Sequence, residues 1–146
     1  ENSGFTDGKP YKNINLIREY NVETEEKNPD SIINHYKKLI KIRNENKSLS
    51  LGDFESVITS DKNKTFAFIR KFEDEIILIV SNVTKENNIE IILDFSNTNL
   101  SSQTIKFEKD LMDENIKFEN IDEKNSNNYK IMLQSYSLKL LKFKVN

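Results

Sequence analysis

DSIINHYKKLIKIRNENKSLSLGDF, residues 30–54, is the stretch of sequence that decides the fold. Its first part follows Pro29 and the capping pair Asp30-Ser31, and its apolar side chains recur at helical spacing. The residues of this apolar stripe are Ile32, Ile33, Tyr36, Leu39 and Ile40, with Ile42 widening it. After Leu51–Phe54 the period changes to two and stays so to the end of the chain. We therefore expect one helix at about 31–46, followed by a β domain.

The β domain is predicted to contain eight short strands separated by polar turns. The predicted strands are Phe54–Thr59, Thr65–Phe72, Glu75–Asn82, Ile89–Phe95, Thr104–Glu108, Ile116–Ile121, Tyr129–Leu133 and Leu138–Val145. Short strands at this spacing are typical of antiparallel sandwiches. The predicted fold class is therefore mainly β, with a C-terminal antiparallel β-sandwich of about eight strands.

Three strands carry more specific signals. Ile76–Val80 is apolar at every position, which predicts a central strand covered on both faces. In Leu138–Val145 the apolar parity changes between Leu140 and Leu141, which predicts a β-bulge. Phe66, Phe68 and Phe72 share one face of their strand, and we expect this face to belong to the core rather than to form a platform for stacking sugars.

The composition excludes several classes of site and partner. The 146 residues include no cysteine, so disulfides, thiolate nucleophiles and cysteine zinc sites are excluded. The net charge of −2 gives no reason to expect nucleic acid or an anionic membrane as a partner. There is no apolar run of membrane-spanning length and no signal-peptide pattern at Glu1, and we expect a cytoplasmic protein.

The residues alone do not assemble an active site. His35, the one histidine, lies on the predicted helix with no nucleophile at triad spacing, so we interpret it as a helix-surface residue. Asp61, Asn63 and Thr65 alternate as in a calcium loop but lack its glycine and terminal glutamate, so we predict a hairpin turn there. We expect no metal and no cofactor. Residues 1–29, which hold both prolines, are predicted to be a long loop without helix or strand.

Several stretches resemble the α-glucosidases of glycoside hydrolase family 13, the α-amylase superfamily. They carry the family's NAGFT-x-G-x-PW run, its last helix, and the opening and closing motifs of its C-terminal domain. The matching stretches are Glu1–Thr6, Gly8–Tyr11, Asn21–Glu23, Pro29–Ile32, Tyr36–Arg43, Leu51–Phe54 and Leu133–Tyr136. The chain departs from the pattern at Tyr11, where the family has Trp, at Ile14–Arg18, and at Ser135, where Pro is common.

The resemblance implies a domain organisation. Residues 1–50 would be the end of a (β/α)8 catalytic barrel, with the loop after its last strand and its final helix at about 31–46. Residues 51–146 would be the C-terminal β-sandwich domain. The family's catalytic carboxylates come from earlier barrel strands, so the resemblance implies no catalytic residue in this chain. The loop lies at the face where barrel active sites form, which makes Asn2, Gly4 and Phe5 the candidates to line a sugar pocket.

The expected function is therefore that of a non-catalytic C-terminal fragment of a retaining α-glucosidase of the oligo-1,6-glucosidase kind. The parent would be a glycoside hydrolase acting on short oligosaccharides, and the chain alone would be inactive. Its partner would be the missing N-terminal barrel, and without it we expect self-association or a mobile N-terminal segment. Three alternatives remain: a carbohydrate-binding module, the tail of a trehalose synthase or sucrose isomerase, and an unrelated interaction domain.

Overall fold

The computed structural model describes Gly8, residues 21–100 and residues 103–145. The chain divides into two compact units, residues 1–43 and 44–146. The first unit holds α1 (Val22–Lys27) and most of α2 (Ile32–Glu45), and the second holds α3 (Lys47–Leu51) and the strands. The strands are β1 (Asp53–Thr59), β2 (Thr65–Phe72), β3 (Glu75–Asn82), β4 (Ile89–Asp94), β5 (Ile105–Asp110), β6 (Tyr129–Leu133) and β7 (Leu138–Val145).

The predicted helix is confirmed as α2, and its start depends on Ser31. The Ser31 Oγ atom accepts a hydrogen bond from the Asn34 N–H at 3.2 Å, as an N-cap does. The prediction of a loop throughout residues 1–29 is wrong for 22–27. There Asn21 Oδ1 accepts from the Thr24 N–H and Thr24 Oγ1 accepts from the Asn21 N–H, a capping box that starts α1. Apart from Gly8, residues 1–20 lie outside the described part of the chain.

The strands form one antiparallel sheet in the order β5-β7-β3-β2-β1-β4-β6. Strand β1 pairs with β2 over residues 53–57 and with β4 over residues 58–59. Because β1 changes partner partway along, the sheet curls and encloses its inner face. The mainly β, antiparallel fold class is confirmed.

The number of strands differs from the prediction, seven instead of eight in the described residues. In the segment predicted as Ile116–Ile121, a single bridge joins Ile121 to Ile105. The reason is that side chains take over the backbone bonds of this segment. Asn120 Oδ1 accepts from the Phe107 N–H at 2.9 Å, and the Tyr129 hydroxyl donates to the Glu119 carbonyl at 2.8 Å.

The inner face of the sheet holds the hydrophobic core. Its fully buried members include Ile69, Leu78, Leu93, Leu133 and Phe143. We call the opposite face, to which the alternate residues of each strand point, the outer face. All residues from Ile76 to Val80 are buried, so the prediction that β3 is covered on both faces is confirmed.

The irregularity predicted in the last strand lies in its neighbour instead. Strand β7 keeps a continuous register with β3 from Leu138 to Lys144. The register shift falls between Phe107 and Lys109 of β5, where one extra residue faces β7. The parity change in β7 has another cause: Leu140 is buried on the outer face, whereas Leu141 is buried on the inner face.

Candidate functional site

The residues expected to line a sugar pocket, Asn2, Gly4 and Phe5, lie outside the described residues. His35 is exposed on α2, and Asp61 lies in the predicted turn, where its carbonyl accepts from the Thr65 N–H at 2.9 Å. Within residues 21–100 and 103–145, no group of three or more His, Asp or Glu side chains is placed to hold a metal ion. In the same residues no helix is long and apolar enough to cross a membrane.

A polar cluster on the outer face fixes α3 to the sheet. Oε1 of Glu75, at the start of β3, accepts hydrogen bonds from the Ser48 N–H at 2.9 Å and the Ser48 hydroxyl at 2.7 Å. Its Oε2 lies 2.5 Å from Lys142 Nζ, which also donates to Asn46 Oδ1 at 3.0 Å. Burial alone would raise the pKa of the Glu75 carboxyl, but the hydrogen bonds from Lys142 and Ser48 outweigh it and the pKa lies below its ordinary value.

Two side chains of β2 also contact α3. The Arg70 Nε–H donates to the Ser48 carbonyl at 3.3 Å, and Lys47 Nζ lies 5.9 Å from the centre of the Phe72 ring. At Gly52, the residue after α3, a Cβ atom would lie 2.4 Å from the Ser48 carbonyl oxygen and 2.7 Å from the Lys71 carbonyl oxygen. Glycine is therefore required for α3 to approach β2 this closely.

Beyond α3, the outer face carries an aromatic surface made by Phe54, Phe66 and Phe68. The Phe68 ring centre lies 5.1 Å from that of Phe54 and 6.3 Å from that of Phe66, and the Phe66 and Phe68 ring planes are inclined by only 11°. Phe54 is 59% exposed and Phe66 is 46% exposed. The expectation that Phe66, Phe68 and Phe72 belong to the core is therefore wrong.

The alternation of β2 explains this error. Ala67 and Ile69 fill the inner face of β2, so the even-numbered phenylalanines must point outward. The signal was present in the sequence, because Ala67 and Ile69 are as apolar as their neighbours and only one of the two sets can face a single core. The larger size of the phenylalanines favoured placing them in the core. Across the hairpin, however, the buried Val57 pairs with Ala67, so Ala67 lies on the inner face.

The outer face also carries exposed apolar side chains on β1, β4 and β6. Ile58, Ile92 and Met132 are exposed there. Ile58 stands opposite Asp94 in the register, and Ile92 stands opposite Lys130. Beyond the aromatic surface, exposed apolar residues of the outer face therefore stand beside charged ones.

A shallow pocket of about 330 Å³ lies at the start of β6. It is lined by Lys117, Phe118, Glu119, Asn125, Asn128, Tyr129 and Lys130. The Tyr129 ring is buried, its hydroxyl is bound to the Glu119 carbonyl, and burial raises the pKa of this hydroxyl. Tyr129 is therefore a structural donor at neutral pH rather than an acid or base.

Comparison with known proteins gives matches in sequence. Residues 1–52 match a family model described as the alpha-amylase catalytic domain. The chain is 44% identical over 87 residues to glucan 1,6-alpha-glucosidase of Streptococcus pneumoniae, covering 59% of the chain and 16% of that protein. It is 36% identical over 90 residues to probable oligo-1,6-glucosidase 2 of Bacillus subtilis, covering 61% of the chain and 16% of that protein. The chain thus spans about a sixth of the length of these relatives.

Solved structures share the fold. A maltogenic alpha-amylase from Thermotoga neapolitana superposes with a TM-score of 0.65 at 21% identity, over 82% of the chain and 27% of that structure. A mutant isomaltulose synthase from Erwinia rhapontici superposes with a TM-score of 0.62 at 23% identity, over 99% of the chain and 23% of that structure. By sequence, the chain is similar to the alpha-amylase catalytic domain over residues 1–52 and to oligo-1,6-glucosidases over about 60% of its length.

Proposed function

We propose that the chain is the non-catalytic C-terminal part of a retaining α-glucosidase that acts on short α-glucosidic oligosaccharides. The observation that carries this proposal is the position of the family match. A catalytic-domain model matches residues 1–52, and β1 begins at Asp53. Relatives named as 1,6-glucosidases are about six times longer than the matched share. Residues 1–50 would then be the end of the barrel and residues 51–146 the β domain.

The role of the chain in this proposal is structural. Retaining hydrolysis needs two carboxyl groups about 5–5.5 Å apart, one as nucleophile and one as acid and base. These groups would be supplied by the preceding barrel, where the oligosaccharide binds and where Asn2, Gly4 and Phe5 would line the pocket. The β domain would pack on the barrel, and within that domain the polar cluster around Glu75 fixes α3 to the sheet. We place the parent enzyme in the cytoplasm.

The test compares the 146-residue chain with the longer protein that this proposal implies, in which a catalytic barrel would precede these residues. We expect the full protein to release glucose from isomaltose with retention, measured by NMR of the newly formed anomer, and the purified chain to release none. Cleavage by the chain alone would contradict the proposal. Conversion of sucrose to an isomer by the full protein, in place of hydrolysis, would assign the parent to the isomerases.

Sugar binding by the chain itself is a second candidate function, favoured by the exposed rings of Phe54 and Phe66. Sugars stack on exposed aromatic rings in many binding sites. An amide NMR titration of the chain with isomaltose and maltotriose decides between the two roles. Saturable shifts on β1 and β2 at millimolar sugar would make the chain a sugar-binding module. Unchanged spectra are expected from a structural domain.

A further inference from the structure

The sheet has two edge strands, β5 and β6, and they differ in how their backbone groups are used. On β5, the Ile105 N–H donates to the Ile121 carbonyl at 2.8 Å, and the Ile121 N–H donates back to the Ile105 carbonyl at 3.1 Å. The next outward N–H of this strand, that of Phe107, donates to Asn120 Oδ1 at 2.9 Å. The segment after β5 therefore protects that edge against pairing with another strand.

The backbone groups on the outward side of β6 are those of Lys130 and Met132. The Ser60 N–H donates to the Ile92 carbonyl at 2.9 Å, and the Ile92 N–H donates to Ser60 Oγ at 3.0 Å, so the backbone groups of Ile92 point towards β1. Its cross-strand neighbour Lys130, and Met132 two residues later, therefore point theirs away from β4. Among residues 21–100 and 103–145, these two N–H and two C=O groups have no hydrogen-bond partner. They form a free strand edge.

Strand β6 also carries none of the usual obstacles to pairing. Edge strands are commonly blunted by proline, by a bulge or by unpaired charge. Strand β6 contains no proline and keeps a continuous register with β4. Its one charged side chain, Lys130, is paired with Glu90 at 3.1 Å, and Met132 beside it is 47% exposed. An exposed apolar side chain and a neutralised charge thus lie on an edge that another strand can join.

We propose that β6 pairs antiparallel with β6 of a second copy of this chain, about a twofold axis at Ile131. Such an axis places Lys130 opposite Met132 of the partner subunit, and Met132 opposite Lys130 of the partner subunit. Each pair exchanges two backbone hydrogen bonds, so all four free groups are satisfied. The contact is isologous, and it joins the two sheets into one across the β6 edges. It involves the β domain alone and does not depend on the proposed function.

Charge and hydrogen bonding select this register over its neighbours. An axis at Lys130 would place the two lysines directly opposite each other, which is destabilising. An axis at Met132 would place Lys130 opposite Gln134 of the partner subunit, and in the chain the Gln134 carbonyl already accepts from Asn82 Nδ2 at 2.8 Å. With the axis at Ile131, the apolar stem of each Lys130 lies against an exposed methionine. The edge is therefore complementary to itself, which favours a second copy over an unrelated peptide.

Amide hydrogen exchange followed by NMR tests the pairing residue by residue. The N–H groups of Tyr129, Ile131 and Leu133 point to β4 and are expected to be protected at every protein concentration. Those of Lys130 and Met132 are expected to exchange rapidly in dilute solution and several-fold more slowly after a roughly hundred-fold increase in concentration. Equal rates at both concentrations would overturn the proposal, whether or not sedimentation detects a dimer. Protection that is already complete in dilute solution would overturn it in favour of an edge covered within one molecule.

Three variants separate this edge from other routes of self-association. Met132→Lys places a lysine opposite Lys130 of the partner subunit, and within the chain it stands opposite Glu90, where a positive charge is favourable. We expect the dissociation constant of the dimer, measured by sedimentation equilibrium, to rise several-fold and the urea midpoint in dilute solution to stay unchanged. Val83→Lys, the same change at an exposed residue just after β3, is the matched control and should alter neither quantity.

The third variant, Tyr36→Lys, tests association through the exposed apolar residues of α2. We expect it to leave the concentration-dependent protection of Lys130 and Met132 in place. If Tyr36→Lys abolished this protection while Met132→Lys preserved it, the chains would associate through α2 and the proposed β6 contact would be wrong.

Discussion

The Oε2 atom of Glu75 lies 2.5 Å from the Nζ atom of Lys142, an ion pair between adjacent strands β3 and β7 whose side chains are each about one fifth exposed. Because Oε1 of the same carboxylate accepts two hydrogen bonds from Ser48, Glu75 joins the sheet to α3 as well as to β7. Charge-assisted bonds in partly buried surroundings are stronger than bonds between neutral groups. This carboxylate therefore holds α3 against the sheet.

We expect Glu75→Gln to destabilise the chain by about 2 kcal/mol. The substitution keeps the shape of the side chain but removes the charge opposite Lys142, leaving that ammonium with a neutral partner in a half-buried site. Urea unfolding at pH 7, followed by circular dichroism, measures the change.

The matched control is Glu90→Gln, which breaks the cross-strand pair with Lys130 at 3.1 Å. Both of those side chains are more than half exposed, so we expect a loss below about 0.5 kcal/mol. Equal losses in the two variants would mean that burial adds nothing to the Glu75 pair.

The same carboxylate predicts a dependence of stability on pH. In the folded chain the pKa of Glu75 lies below its ordinary value of 4.5. The unfolded chain therefore binds this proton at a higher pH than the folded chain does, and the stability contributed by Glu75 increases with pH in this range. It is complete above about pH 5 and is lost as the pH falls through the lowered pKa.

Urea midpoints measured between about pH 3 and about pH 6 for the chain and for Glu75→Gln test this expectation. The stability difference between the two proteins should shrink towards the acid end. A difference that is constant over the whole range would show that the pKa of Glu75 is the same in the folded and the unfolded chain.

The close approach of α3 to β2 predicts that Gly52→Ala destabilises the chain by about 1–3 kcal/mol. The new Cβ would meet two backbone oxygens, those of Ser48 and Lys71, and neither can move without shifting an element. Leu51→Ala is the control, since Leu51 is exposed at the end of α3 and its loss should cost less than about 0.5 kcal/mol. A stable Gly52→Ala protein would show that α3 is free to lift from β2.

Sequence periodicity was sufficient for the elements whose pattern has one interpretation. The stripe of α2 and the continuous apolar run of β3 each allow a single solution, and both are confirmed. The motif resemblance was also confirmed, because short ordered motifs do not depend on tertiary context. The curled sheet was not predicted in detail, since nothing in the alternation of β1 indicates that it changes partner at Ile58.

The errors occurred where side chains or a second buried face change the pattern. The segment at 116–121 alternates as a strand does, but Asn120 caps the Phe107 N–H and ends the ladder. In β7 the parity change reflects burial on both faces and not a bulge. Phe66, Phe68 and Phe72 were assigned to the core because size and hydropathy do not record which face of a strand is enclosed.

Because the aromatic surface is exposed, two truncations in the isolated chain are expected to lower its free energy of unfolding by different amounts. Leu78→Ala, at a fully buried position of β3, is expected to cost about 3 kcal/mol through lost burial and the cavity it leaves. Phe66→Ala removes a larger side chain, yet 46% of that residue is exposed, and we expect a loss below about 1 kcal/mol. Chemical unfolding of both variants provides the comparison. If Phe66→Ala were as costly as Leu78→Ala, the rings would be part of the chain's own core, and the face would not be open to a partner.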